Sequence, residues 1–145
     1  MCLNLEEVYI PLTEEIGRGG FSNCESLKSV DFPLLKTLKV SHSFAGCTSL
    51  VSVNFPLLTE IPVNGFSACS SLVSATFPLV SKVGNSAFSY SENLRYVSFG
   101  TGFAEETEIV FGRYVFSCYM NITPNADLEL GENVLPKPNL YSKIW

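Results

Sequence analysis

The chain has 145 residues, of which 46% are hydrophobic and 16% charged, and a formal net charge of -5 at neutral pH. That length suits one folding unit with a real core. The acidic balance and scattered basic residues exclude a phosphate-gripping surface for nucleic acid, and no apolar run approaches the roughly 20 residues that cross a bilayer.

In chain order, the predicted elements are copies of one unit. It begins at Cys2, Leu5, Val8, Ile10, Pro11, Ile16 and Phe21, and returns as Cys24, Leu27, Val30, Phe32, Pro33, Leu38 and Phe44. Cys47, Leu50, Val53, Phe55, Pro56, Ile61 and Phe66 follow, then Cys69, Leu72, Ala75, Phe77, Pro78, Val83 and Phe88. A fifth unit keeps Leu94, Val97 and Phe99 but has Ser91 for the cysteine and Gly100 for the proline. The first four cysteines are 22, 23 and 22 residues apart, and the longer step is one additional loop residue between Leu38 and Phe44. A period of this length is the mark of a stacked-repeat architecture.

Within each unit the VxF segment alternates apolar and polar residues, the pattern of a strand with one buried face. The proline after it has no N–H to continue a ladder, so each strand is short. No stretch holds a helical apolar stripe for three turns. Each unit is therefore expected to be one coil of a solenoid, stacked on the next at about 4.8 Å through strand pairing. Residues 1–100 form the regular solenoid on this reading. Residues 101–145 form an irregular terminal rung and C-terminal cap, in which "DLELG" at 127–131 offers a last strand. Because the first unit starts directly after Met1 and no charged-then-apolar leader opens the chain, the sequence reads as one continuous domain cut from a longer protein.

The FxxCxxLxxVxFP phrasing resembles the leucine-rich repeat superfamily, and within it the BspA-type branch found widely in bacterial surface proteins and in some protozoa. The resemblance covers residues 2–100. It implies a mainly β, right-handed coil of 22- to 23-residue rungs with one short parallel strand each. It further implies a cell-surface or secreted location.

Five cysteines without a CxxC pair make neither a zinc site nor a complete disulfide set. Cys2, Cys24, Cys47 and Cys69 keep the beat of the repeat, which assigns them to packing at one buried turn, although neighbouring rungs bring thiols into disulfide range if the sulfurs face each other. His42, the only histidine, falls in the longer loop, where an exposed turn is expected rather than a catalytic triad. "GRGG" at 17–20 lacks the pattern of a phosphate loop and matches the inter-rung loops "KVSHS", "PVNG" and "GNSA". Glu105, Glu106 and Glu108 read as a solvated acidic face and Asn121–Thr123 as a chance glycosylation sequon. No cofactor or metal is expected.

What remains is the outer side of the strands. With Val30 and Phe32 facing inward, Ser29 and Asp31 face outward, and the same step selects Glu7, Tyr9, Ser52, Asn54, Ser74, Thr76, Tyr96 and Ser98. Tyrosine, serine, asparagine and aspartate in one strip suit a protein or glycan surface. The expectation is a non-enzymatic module binding a protein or glycan on a host or neighbouring cell. A structural spacer, self-associating through the open ends of the solenoid, is the rival reading.

Overall fold

The computed structural model describes residues 2, 4–17, 20–99, 110–116 and 129–130. In chain order the strands are β1 (Glu7–Tyr9), β2 (Glu15–Ile16), β3 (Ser29–Asp31), β4 (Thr37–Leu38), β5 (Ser52–Asn54), β6 (Glu60–Ile61), β7 (Ser74–Phe77), β8 (Lys82–Val83), β9 (Tyr96–Phe99), β10 (Val110–Phe111) and β11 (Glu129–Leu130). Odd-numbered strands pair in parallel from rung to rung, with Val8 opposite Val30 and Val53 in line with Ala75, Val97 and Leu130. Even-numbered strands do the same along a second side, placing Ile16 opposite Leu38 and Ile61 in line with Val83 and Phe111. The molecule is the β-solenoid that the repeat predicts, with no helix among the described residues.

The structure adds a second strand to the one expected in each rung. Two residues are too few to show alternation in the sequence, yet in β4, β6 and β8 the first residue is exposed and the second buried. Between the two strands of a rung the proline has a positive task as well as a blocking one. Leu35 N–H donates to Phe32 O at 3.1 Å, closing a turn with Pro33 at its second position, where a fixed φ is preorganised. Thr13, Leu58 and Val80 close the same turn around Pro11, Pro56 and Pro78.

The other corner of each rung is made of left-handed residues. Asn23, Gly46, Ala68 and Tyr90 have φ of 57°, 73°, 56° and 60°, each two positions after a phenylalanine. His42, Asn64, Ser86 and Tyr114 lie two positions before one and have φ of 64°, 54°, 54° and 57°. Phe44, Phe66 and Phe88 are thus each held between two sharp reversals, which turn them into the core.

That core is a set of columns. Leu27, Leu50, Leu72 and Leu94 are buried one above another, as are Leu35, Leu58 and Val80. Phe21, Phe44, Phe66, Phe88 and Phe116 stack with ring centroids 5.3, 5.3, 5.4 and 5.6 Å apart. A second column, Phe32, Phe55, Phe77 and Phe99, runs beside it at 6.1, 6.1 and 5.9 Å. Aromatic pairs at these separations add roughly 0.5–1.5 kcal/mol each to what their area burial supplies.

The strand ladders are interrupted between rungs two and three, although Val51 and Thr59 N–H groups still donate to Lys28 and Lys36 oxygens across the break at 3.3 and 3.4 Å. One pair of two-stranded sheets (β1–β3 and β2–β4) ends there, and a four-stranded (β5–β7–β9–β11) and a three-stranded sheet (β6–β8–β10) begin. On the second side the cause is a single residue. Lys39, Gly84 and Gly112 donate their N–H groups to Ile16, Ile61 and Val83 oxygens of the preceding rung at 3.0, 2.8 and 2.6 Å. The equivalent residue of rung three is Pro62, which has no N–H to give. The phenylalanine columns pass through this seam without a gap, Phe44 onto Phe66 and Phe32 onto Phe55, so the core stays continuous.

Both sheets extend past residue 100, because β10 joins β8 and β11 joins β9. The beat changes there by insertion: Phe99 to Val110 takes eleven positions where Phe77 to Lys82 takes five. Cys118, the acidic cluster at Glu105, Glu106 and Glu108, the sequon at Asn121 and the remainder of the expected cap lie outside the described residues.

Candidate functional site

The strand register brings the ten outward residues into two columns. Glu7 lies opposite Ser29, and Ser52 aligns with Ser74, Tyr96 and Glu129. Tyr9 lies opposite Asp31, and Asn54 aligns with Thr76 and Ser98. Glu7, Tyr9, Ser29, Asp31, Ser52, Asn54 and Tyr96 are exposed, Tyr9 at 68% and Tyr96 at 41%, whereas Ser74 and Thr76 are half-buried. Ser98 departs from the expectation. At 9% exposure it is buried in β9, which has β7 on one side and β11 on the other, so it offers little surface to a ligand.

The polar strip has apolar margins that the outward-alternation rule does not select. Val51 and Val73 occupy the position before the strand and are exposed, in line with Lys28 and Arg95. At the far margin the residue after each proline forms a leucine column. Leu12 and Leu34 are exposed and Leu57 and Leu79 half-buried. The signal was present in the sequence as a fixed apolar letter in the turn. Alternation misses it because a turn does not follow the period of a strand. A polar strip with apolar borders offers directional bonds and contact area together.

Charges are arranged between rungs. Lys28 meets Glu6 at 2.7 Å, Lys36 meets Glu14 at 3.0 Å, Lys39 meets Glu15 at 2.6 Å, and Lys82 meets Glu60 at 3.2 Å. The Glu6 carboxylate holds the Lys28 ammonium above the usual lysine value, through their hydrogen bond first and its charge second. All eight groups are about half exposed or more, so solvent screening leaves each pair only a small contribution.

His42 sits on its exposed turn with Nε2 3.0 Å from Asn64 Nδ2, one rung away. It faces no nucleophile in these contacts. The cysteines of rungs two to four are buried and unbridged, and Cys2 is exposed. Burial pushes the Cys47 thiol up to about 12, with the neighbouring Cys24 adding to the effect, and it raises Cys24 and Cys69 in the same direction. Such thiols are poor nucleophiles and poor ligands, since the thiolate is the reactive form. Among the described residues no group of three or more His, Cys, Asp or Glu side chains is placed to hold a metal ion. No helix among them is long and apolar enough to cross a membrane.

Comparison with known proteins agrees with this geometry. The family described as BspA type leucine rich repeat region matches residues 1–124 in six copies. No curated protein and no solved structure matches the chain. On that match, and on the parallel rungs that carry it, the chain belongs to the BspA-type leucine-rich repeat family.

Proposed function

We propose that this chain is a non-enzymatic recognition module of a bacterial cell-surface or secreted protein, and that it binds a protein or glycan across the outer face of its odd-numbered strands. One observation carries the reading: in these rungs the inward letters are nearly constant, while one outward column changes at every step, through Tyr9, Asp31, Asn54, Thr76 and Ser98, and the other runs from Glu7 through three serines to Tyr96. A fixed interior with a varied, registered exterior is how one scaffold is suited to a particular partner. The exposed tyrosines supply large, rigid contact area at low entropic cost. Leucine-rich repeat solenoids serve as interaction scaffolds, and that class membership supports the reading.

The test has two parts. Protease shaving of intact source cells, followed by mass spectrometry, should release peptides of this chain; recovery only after lysis overturns the surface location. Binding to an immobilised panel of glycans and secreted proteins should then weaken in the double variant Tyr9→Ala, Tyr96→Ala at unchanged melting temperature. Equal binding by that variant removes the strand face from the mechanism.

A further inference from the structure

Lys28, Val51, Val73 and Arg95 form one column beside the odd-numbered strands, joined rung to rung through their backbones. Val51 N–H donates to Lys28 O at 3.3 Å, Val73 N–H to Val51 O at 2.8 Å and Arg95 N–H to Val73 O at 2.9 Å. The two valines are 49% and 43% exposed and lie side by side between the two cations. Those cations differ in what answers them. Lys28 is held by Glu6 at 2.7 Å, and Lys36, Lys39 and Lys82 each have a glutamate as well. Among the described residues Arg95 meets no carboxylate. Its Nη1 donates instead to two carbonyls of its own turn, Glu92 O at 3.0 Å and Leu94 O at 3.3 Å. These bonds fix the guanidinium without neutralising it, and they leave the Nε and Nη2 donors, one side of the fork, for a partner.

The strand face beside Arg95 carries no acid. The outward residues of β5, β7 and β9 are Ser52, Asn54, Ser74, Thr76, Tyr96 and Ser98, whereas Glu7 and Asp31 stand on β1 and β3. The next acid in register, Glu129, aligns with Tyr96 rather than with Arg95. On a chain of net charge -5, the strand face of rungs three to five therefore presents a positive group beside an apolar pair. We propose that this patch takes an acidic, aliphatic segment of a partner protein. A carboxylate of that segment would sit on the Arg95 fork, its aliphatic neighbours would cover Val73 and Val51, and Ser52 and Asn54 would bond its polar groups. Branched aliphatic side chains pack against aliphatic groups and offer no flat ring for a sugar to stack on, which favours a protein over an anionic glycan. The inference rests on the strand-face reading and narrows its partner class.

The probe is a short peptide alternating glutamate and leucine, titrated into the isotopically labelled chain and followed by NMR. A peptide alternating glutamine and leucine and an oligosaccharide of uronic acids are its controls. The glutamate peptide should shift the Val51 and Val73 amides and the Arg95 Nε–H together, with affinity falling as salt is raised from about 0.05 to about 0.5 M. Arg95→Gln should weaken it roughly five- to tenfold, the scale of a charge-assisted pair. Arg95→Lys, which keeps the charge and loses the fork, should recover only part of that loss. Replacing both valines by serine should weaken binding and leave its salt dependence unchanged, and Arg113→Gln, beyond β10, should change nothing. No binding of the glutamate peptide, equal binding of the glutamine peptide or the oligosaccharide, or an affinity unmoved by Arg95→Gln would overturn this inference without touching the strand-face reading. Shifts confined to Thr37, Glu60 and Lys82 on the even-numbered strands would overturn both. The titration of the unaltered chain decides the matter even if a variant fails to fold.

Discussion

The Cys69 thiol donates to the carbonyl oxygen of Phe44, one rung below, at 3.1 Å. Cys47 does the same to Phe21 at 3.1 Å, and in rung five Ser91 reproduces the bond to Phe66 at 2.8 Å. The repeated letter is therefore a small buried donor that ties each turn to the turn beneath it, and the fifth rung shows that a hydroxyl serves. Cys69→Ser is expected to change stability by no more than about 1 kcal/mol, because the shorter O–H bond offsets the cost of burying a more polar group. Cys69→Leu, which adds volume at a site with no exposure, should cost about 1–3 kcal/mol. Urea unfolding of the two variants checks the contrast, and similar losses in both would deny the bond its role.

The same thiols make stability depend on alkaline pH. An unburied cysteine releases its proton at 9.0, and burial holds Cys47 up to about 12. Above 9.0 the unfolded chain releases protons that the native chain keeps, so stability is full below that pH and falls as pH rises toward 12. Cys24 and Cys69 shift in the same direction and reinforce the slope. Chemical denaturation across this range should show the decline, and Cys47→Ser should flatten it. Iodoacetamide applied to the native protein at mildly alkaline pH should modify Cys2 well before Cys24, Cys47 or Cys69, whose protonation and burial both oppose attack.

How much of this was legible in the sequence depended on whether a feature repeats with the unit. The inward columns were readable because Leu27, Leu50, Leu72 and Leu94 recur at one position and must land on one another. The outward strip followed from alternation around Val30 and Phe32. The second strand was not readable: Thr37–Leu38 and Glu60–Ile61 are too short to alternate. The left-handed corners were hidden because Asn23, Gly46, Ala68 and Tyr90 share a conformation without sharing chemistry. The sheet interruption at Pro62 was obscured for the opposite reason, since a lone proline in a loop signals nothing until its equivalents Lys39 and Gly84 are seen donating. Ser98 misled because a strand's alternation tells which side a residue faces, and burial also depends on what else lies on that side.

Gly84 tests how closely the rungs approach. Its φ needs no glycine, yet a Cβ built there would come within 2.6 Å of Pro62 C and 2.5 Å of Val63 N, both backbone atoms of the rung below. Backbone cannot swing aside as a flexible side chain does, so Gly84→Ala should destabilise by about 1–3 kcal/mol as an overpacking change. Gly17→Ala is the matched control, because nothing lies within 4 Å of the added carbon. It should be neutral or slightly stabilising through the unfolded chain. Thermal unfolding of the pair is the measurement, and equal melting temperatures would mean that the rungs part easily at this loop.

Phe66 and Tyr96 divide architecture from recognition. Phe66 is fully buried with Phe44 and Phe88 at 5.3 and 5.4 Å on its two sides, so Phe66→Ala opens a gap in the middle of a column whose neighbours are held by their own turns. The site cannot collapse without breaking register, which puts the loss at roughly 3–5 kcal/mol. Tyr96 stands in the outward column between Ser74 and Glu129, and removing its ring should move stability by less than about 0.5 kcal/mol. Calorimetry should therefore separate the two variants by many degrees, while affinity for any partner taken by the strand face should fall in Tyr96→Ala at temperatures where both proteins are folded. A Phe66→Ala protein that stays folded at low temperature and keeps its affinity, beside a Tyr96→Ala protein that loses it, is the result that assigns the varied outer letters to binding. A Tyr96→Ala variant that melts early would return that tyrosine to the structural set and leave the strip without its largest exposed anchor in the upper rungs.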